Sequence, residues 1–175
     1  MQKFKILNGL PAYGPLPEQF SSTGMGMHRE GFVVEFSPQG SQKWIGNFQP
    51  GLGGIDDVVE HIDGNHIIVI AGGQAYVIDP KTRLLVNDFG GQIEYVDSIL
   101  ELQMLLFGNG LWFEAIGERG FIWRTRRLSW DGMRAIRQEG ISLSGEGYDP
   151  MTDSWVSFTV DLTSGDAKGG SYNGP

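Results

Sequence analysis

The feature that most constrains this chain is a recurring module: two short apolar runs parted by glycines, then a turn and a third run. One copy reads Asp63-Gly64-Asn65, Ile67-Ile68-Val69-Ile70-Ala71, Gly72-Gly73 and Ala75-Tyr76-Val77-Ile78-Asp79-Pro80, with a turn at Lys81-Thr82 and a third run over 83–86. A second copy runs through 104–107, Gly108-Asn109-Gly110, 111–116, a turn at 117–120 and a closing run at 121–125. A third has 141–144, Gly145-Glu146-Gly147, an inserted turn at 149–153, and a later run at 155–161 ahead of the turn 163–166. The first glycines of these breaks stand at 72, 108 and 145, so the spacings are 36 and 37 residues. Residues 31–38 parallel 73–80 as a degenerate earlier copy. Runs of Val, Ile, Phe, Tyr and Trp bounded by Gly, Pro, Asp and Asn are strand-and-hairpin chemistry. A period near 40 residues in that setting means small sheets, stacked or arranged radially.

Composition agrees. The chain has 27 glycines, about twice the average share of about 7 %, and they lie between apolar runs, where positive φ angles are needed in turns. Helical periodicity is confined to 55–61 and 132–138, each expected to form a turn or two. At 175 residues one domain can bury about 70 % of its unfolded surface without a disulfide or a metal.

The stretch 58–86, with Asp63-Gly64 before an apolar run and Val77-Ile78-Asp79-Pro80 closing the next, resembles a β-propeller blade. Across residues 31–170 the resemblance implies an all-β fold, a small propeller-like arrangement of three to four antiparallel modules. Four could close as a small propeller, or form a propeller-like half completed by a second copy. A β-sandwich or an open barrel is the alternative. The Trp130-Asp131 pair follows a run and precedes Gly132, which is not its place in a WD repeat, so only the architecture carries over. The single domain 1–175 then parses into an extended, proline-rich arm (1–30), repeated modules (31–170) and a mobile tail (171–175) anchored by Tyr172.

Several function classes drop out. There is no cysteine, hence no disulfide, thiolate metal site or cysteine nucleophile. The formal charge of −8 repels nucleic acid and anionic membranes. No apolar run is long enough to span a bilayer. Residues 1–9 carry no leader pattern, so the expected compartment is the cytoplasm. Gly51-Leu52-Gly53-Gly54 and Gly108-Asn109-Gly110 match neither a phosphate-binding loop nor a dinucleotide fingerprint, and no GxSxG elbow occurs. No cofactor is expected.

Residues 119–137 hold six of the eight arginines, Arg119, Arg124, Arg126, Arg127, Arg134 and Arg137, with Trp123 and Trp130 among them and Trp112 on the preceding run. In a strand Arg124 and Arg126 share one face, while Trp123, Thr125 and Arg127 share the other. Arginine forks grip carboxylates and stack on indoles. Trp112, Trp123, Arg124, Arg126, Arg127 and Trp130 are therefore the candidate binding residues. The plainer reading is an arginine–carboxylate ladder with Glu114, Glu118 and Asp131.

The segment Asp56-Asp57-Val58-Val59-Glu60-His61-Ile62-Asp63, followed by His66, holds metal-ligating residue types but no HxH, HExxH or EF-hand spacing, so no metal site is expected. His28, beside Arg29 and Glu30, is a candidate acid-base group without a nucleophile to serve. Tyr13, Phe20, Trp44, Phe48 and Trp155 could line a groove, or simply pack.

These readings converge on a non-enzymatic intracellular binding module that recognises a protein partner or a second copy of itself. Toxin-neutralising immunity proteins share its small size and acidity. The alternative is an enzyme or small-ligand protein with a polar site between modules.

Overall fold

The computed structural model describes residues 3–24 and 29–174; His28 lies outside the described residues. The chain divides into two compact units, Met1–Ile93 and Glu94–Pro175. Its strands form four four-stranded sheets, two per unit, and none is a closed barrel. Among the described residues no helix is long and apolar enough to cross a membrane.

In the first unit, β1 (Phe4–Leu7), β2 (Glu18–Phe20), β3 (Phe32–Phe36) and β4 (Trp44–Phe48) form a sheet of order β1-β3-β4-β2. The β2–β4 pair is parallel and the others antiparallel. The segment read as an extended arm thus supplies both edges of this sheet. Next come β5 (Asp57–Glu60), β6 (Ile67–Ala71), β7 (Gln74–Asp79) and β8 (Leu84–Gly90), an antiparallel meander. Every residue of Ile67-Ile68-Val69-Ile70-Ala71 is buried, which explains why that run is apolar without alternation. One core joins both sheets of the unit: Phe36 stacks on Trp44 at 4.3 Å and Phe20 on Phe48 at 4.7 Å, with Val69, Tyr76 and Ile78 packed alongside.

The second unit holds two more antiparallel meanders. One is β9 (Tyr95–Ile99), β10 (Met104–Gly108), β11 (Phe113–Gly117) and β12 (Gly120–Arg124). The other is β13 (Met133–Glu139), β14 (Ser142–Asp149), β15 (Ser154–Asp161) and β16 (Ala167–Gly169). Their shared core is built from Met104, Leu106, Phe113 and Trp123 on one side and Leu143, Phe158 and Val160 on the other.

The repeat is real but keyed differently from the glycine reading. The second strands of the three meanders begin at Ile67, Met104 and Ser142, 37 and 38 residues apart. Gly108 and Gly145 share one environment: each lies opposite a phenylalanine on the next strand, Phe113 and Phe158, whose ring covers its Cα. A Cβ on Gly108 would meet the Phe113 ring at 2.9 Å, and one on Gly145 the Phe158 ring at 2.5 Å. Gly72 differs. It has φ +48° in the β6–β7 turn and faces Pro50. Gly145-Glu146-Gly147 is therefore strand interior, not a break.

Two further corrections follow. Residues 55–61 and 132–138, expected to be helical, supply β5 and β13. An isolated helix that short is marginal in water, whereas the free edges of β6 and β14 offer antiparallel ladders, the second interrupted between Arg134 and Arg137. The start of the tail is hydrogen-bonded to the body of the unit. Ser171 is buried, and its N–H and that of Gly170 donate to Leu128 O and Ser157 O at 2.9 and 2.8 Å. The glycine loop 51–54 does turn the chain, by interlocking with other main chain: Gly51 N donates to Ala71 O, Gly53 N to Gly72 O, and Gly73 N to Ile55 O.

Candidate functional site

The arginine–tryptophan stretch separates into three parts. On β12, the edge strand of its sheet, residues alternate between faces as expected. Arg124 points outward, and Trp123 inward. Trp123 is 8 % exposed, belongs to the core and lies against Gly165, so it is not on a binding surface; its Nε1 has no hydrogen-bond partner among the described residues. The correction has a simple cause: strand alternation commits an indole between two outward residues to the interior.

Arg124 is paired at home. It meets Glu114, its cross-strand partner, at 2.5 Å, and its guanidinium sits 5.3 Å from the Trp112 ring centroid. Trp112 Nε1 donates to the same carboxylate at 3.1 Å. Arg134 repeats the arrangement on the last sheet, bonding Glu146 at 2.8 Å and lying 4.1 Å from the Trp155 ring. Arg124–Glu114 is one pair of the ladder that the plainer reading described; Arg134 is paired with Glu146, a carboxylate that reading did not name.

Arg126 and Arg127 differ. They leave β12 on the segment that crosses to the last sheet, and main-chain carbonyls hold them. Arg126 donates to Arg127 O at 2.9 Å, to Tyr172 O at 3.4 Å and to Gly169 O. Arg127 donates to Ser129 O at 2.8 Å and Trp130 O at 2.7 Å. Its guanidinium lies 4.6 Å from the Tyr172 ring and 5.5 Å from the Trp130 ring, and those rings meet edge-on at 4.6 Å. Neither arginine forms an ion pair among the described residues, so their charges are fixed in place but not neutralised. Trp130 is 40 % exposed. Tyr172 completes this cluster, and sequence reasoning assigned it only an anchoring role. The available signal was Gly169-Gly170, a pair able to bend the chain back onto the sheet, with φ +73° and +85°.

A second cluster lies in the first unit, in the connection from β5 to β6. Asp63 Oδ1 accepts the main-chain N–H of Asn65 at 2.9 Å and of His66 at 3.0 Å, the turn chemistry that an Asp-Gly-Asn sequence favours. This fixes the carboxylate so that Oδ2 lies 2.5 Å from His66 Nδ1 and 3.1 Å from His61 Nδ1. His61 is buried and its N–H bonds His66 O at 3.0 Å, closing the loop. Burial alone would raise the Asp63 carboxyl. The bonds from His66 and Asn65, with the charge of His61, instead hold it well below the usual carboxylate range. The other acids of that run go elsewhere: Asp56 accepts Gly72 N at 2.6 Å, Glu60 pairs with Lys3, and Asp57 bonds its neighbour Val58. A cleft of 680 Å³ borders the turn, lined by Lys3, Gln39, Asn65 and Lys81 among others.

No family model matches the chain, and no curated protein matches it. Two solved structures are similar in part. A eukaryotic initiation factor is 11 % identical with a TM-score of 0.46, over 79 % of this chain and 39 % of that one. The hydrazine synthase of Kuenenia stuttgartiensis is 12 % identical with a TM-score of 0.34, over 76 % and 52 %. The chain thus spans about two fifths and about half of their lengths. The sheets themselves, four of four strands, are compatible with blade-like repeats.

Proposed function

We propose that this chain is a non-enzymatic binding module, acting inside the cell, whose Arg126–Arg127–Trp130–Tyr172 cluster receives an acidic segment of a protein partner. The carrying observation is the pair of guanidiniums whose hydrogen bonds go to main-chain carbonyls, with Arg127 also set against the Trp130 and Tyr172 rings, in a chain of net charge −8. Arginine and tryptophan in fixed geometry are the residues that dominate interface energetics. Because carbonyls already hold both arginines, and rings hold Arg127 as well, little side-chain entropy remains to be lost on binding. A carboxylate is the complement: it can neutralise both charges bidentately where nothing in the chain does. The overall negative charge keeps general polyanions away, so an anionic group must reach the cluster on a partner of matching shape.

Affinity capture from the native extract, followed by titration of the purified captured protein, tests this. Trp130→Ala and Arg127→Ala should each weaken binding by about 10-fold or more. Arg137→Ala, a change at an exposed arginine of β13, should leave it unchanged. Equal affinity for all four proteins would remove the cluster from the interface.

A further inference from the structure

The residues His61, Asp63 and His66 offer two imidazole nitrogens and one carboxylate oxygen that all lie within 4.8 Å of one another. We propose that this turn is a binding site for a divalent transition-metal ion of the zinc class, with three protein ligands and one open coordination position.

The donor set suits such an ion. Imidazole nitrogen and a single carboxylate oxygen match zinc, cobalt and nickel better than calcium or magnesium, which prefer oxygen alone. Spacing fits as well. Ligand atoms about 2.0–2.2 Å from a tetrahedral ion stand roughly 3.4 Å apart. Asp63 Oδ2 and His61 Nδ1 are already 3.1 Å apart. His66 Nδ1, at 2.5 Å from the same oxygen, has to withdraw by under about 1 Å, and its ring is the most exposed of the three.

The turn is also set before any ion arrives. Asp63 Oδ1 is committed to two main-chain N–H groups, so the other oxygen is aimed. Supporting bonds of this kind orient a metal-ligating carboxylate. His61 is fixed by burial and by the His61–His66 main-chain bond. Its Nδ1 has poor alternatives: a main-chain N–H from Asp63 at 3.3 Å and the Asp63 oxygen at 3.1 Å compete for one ring atom, and an ion replaces that weak contact. With three ligands the fourth position stays open to water, the arrangement of an exchangeable site rather than a closed structural one.

Isothermal titration of the full chain with ZnCl2 at neutral pH, paired with Co2+ absorption, tests the site. One equivalent should bind, and Co2+ should give the visible bands of a four-coordinate nitrogen–oxygen site. His66→Ala, at the exposed ligand, should weaken Zn2+ at least tenfold and abolish the Co2+ bands. Asp63→Asn keeps the turn acceptor but loses the charge, and should weaken binding likewise. If His66→Ala fails to fold, as judged by circular dichroism, His66→Gln replaces it. The proposal is overturned if Zn2+ does not bind. It is equally overturned if binding and Co2+ bands survive in His66→Gln and Asp63→Asn, which would place the ion elsewhere, at His28 for instance.

Discussion

Ala135 shows how local chemistry yields to its surroundings. It adopts φ +51° within the irregular stretch of β13, where the pairing with β14 shifts between Arg134 and Arg137. A side chain is disfavoured there by about 1–2 kcal/mol, and glycine is not. Ala135 is exposed. Ala135→Gly should therefore raise stability by about 0.5–1 kcal/mol, read as a higher urea midpoint with unchanged slope. A lower midpoint would mean that backbone freedom in the unfolded chain outweighs the strain. Asp63 makes a second prediction. Its carboxyl titrates lower in the folded chain than unfolded, so its stabilisation is complete above the unfolded value of about 4 and is lost as pH falls toward the folded one. Between pH 6 and pH 3, the chain should lose more stability than Asp63→Asn does. Parallel pH profiles would sink that assignment.

Among the elements, the glycine–phenylalanine pairs repeated in the second unit carry the most weight. Gly145 lies under Phe158, and the main chain of Arg134 is close too, its O being 3.2 Å from the position of a Cβ. Gly145→Ala should cost about 1–3 kcal/mol by overpacking. Adding Phe158→Leu should cost less than the two single changes summed, because the smaller side chain vacates the space the methyl needs. A strictly additive double variant would show that the ring and the glycine do not share that volume. The edge strands β8 and β12 expose Leu84, Val86, Phe121 and Ile122. The outermost strand of a meander has one face and one edge in water, so these apolar side chains stay exposed while Trp123 of β12 reaches the core.

For the molecule as a whole, each unit has its own aromatic or aliphatic core, and three of its four sheets are built from strands consecutive in sequence. The first sheet is the exception, its order β1-β3-β4-β2 drawing both edges from residues before 21. Deleting residues 1–20 strips both edges and removes Phe20 from its stack on Phe48. Hydrogen exchange should then accelerate in β3 and β4, with the sheets of the second unit far less affected. Uniform acceleration through all four sheets would show that the first sheet is not an independent cooperative element.

Much of this was open to a reader of residues alone. Alternation and β-branched runs specify strands, Asp-Gly-Asn and Asp-Pro specify turns, and recurrence near 37 residues specifies equivalent modules, because each depends on a residue and its near neighbours. Arg124 and Trp123 on opposite faces followed from the two-residue period of a strand. Other features were out of reach for one physical reason: they depend on partners remote in the chain. Whether Gly145 turns the chain or shelters a ring depends on Phe158. Whether residues 132–138 coil or extend depends on the open edge of β14. The convergence of His61 and His66 on Asp63 is a matter of side-chain torsions settled by packing. The ring contact of Arg127 exists only because Tyr172, 45 residues away, folds back over it.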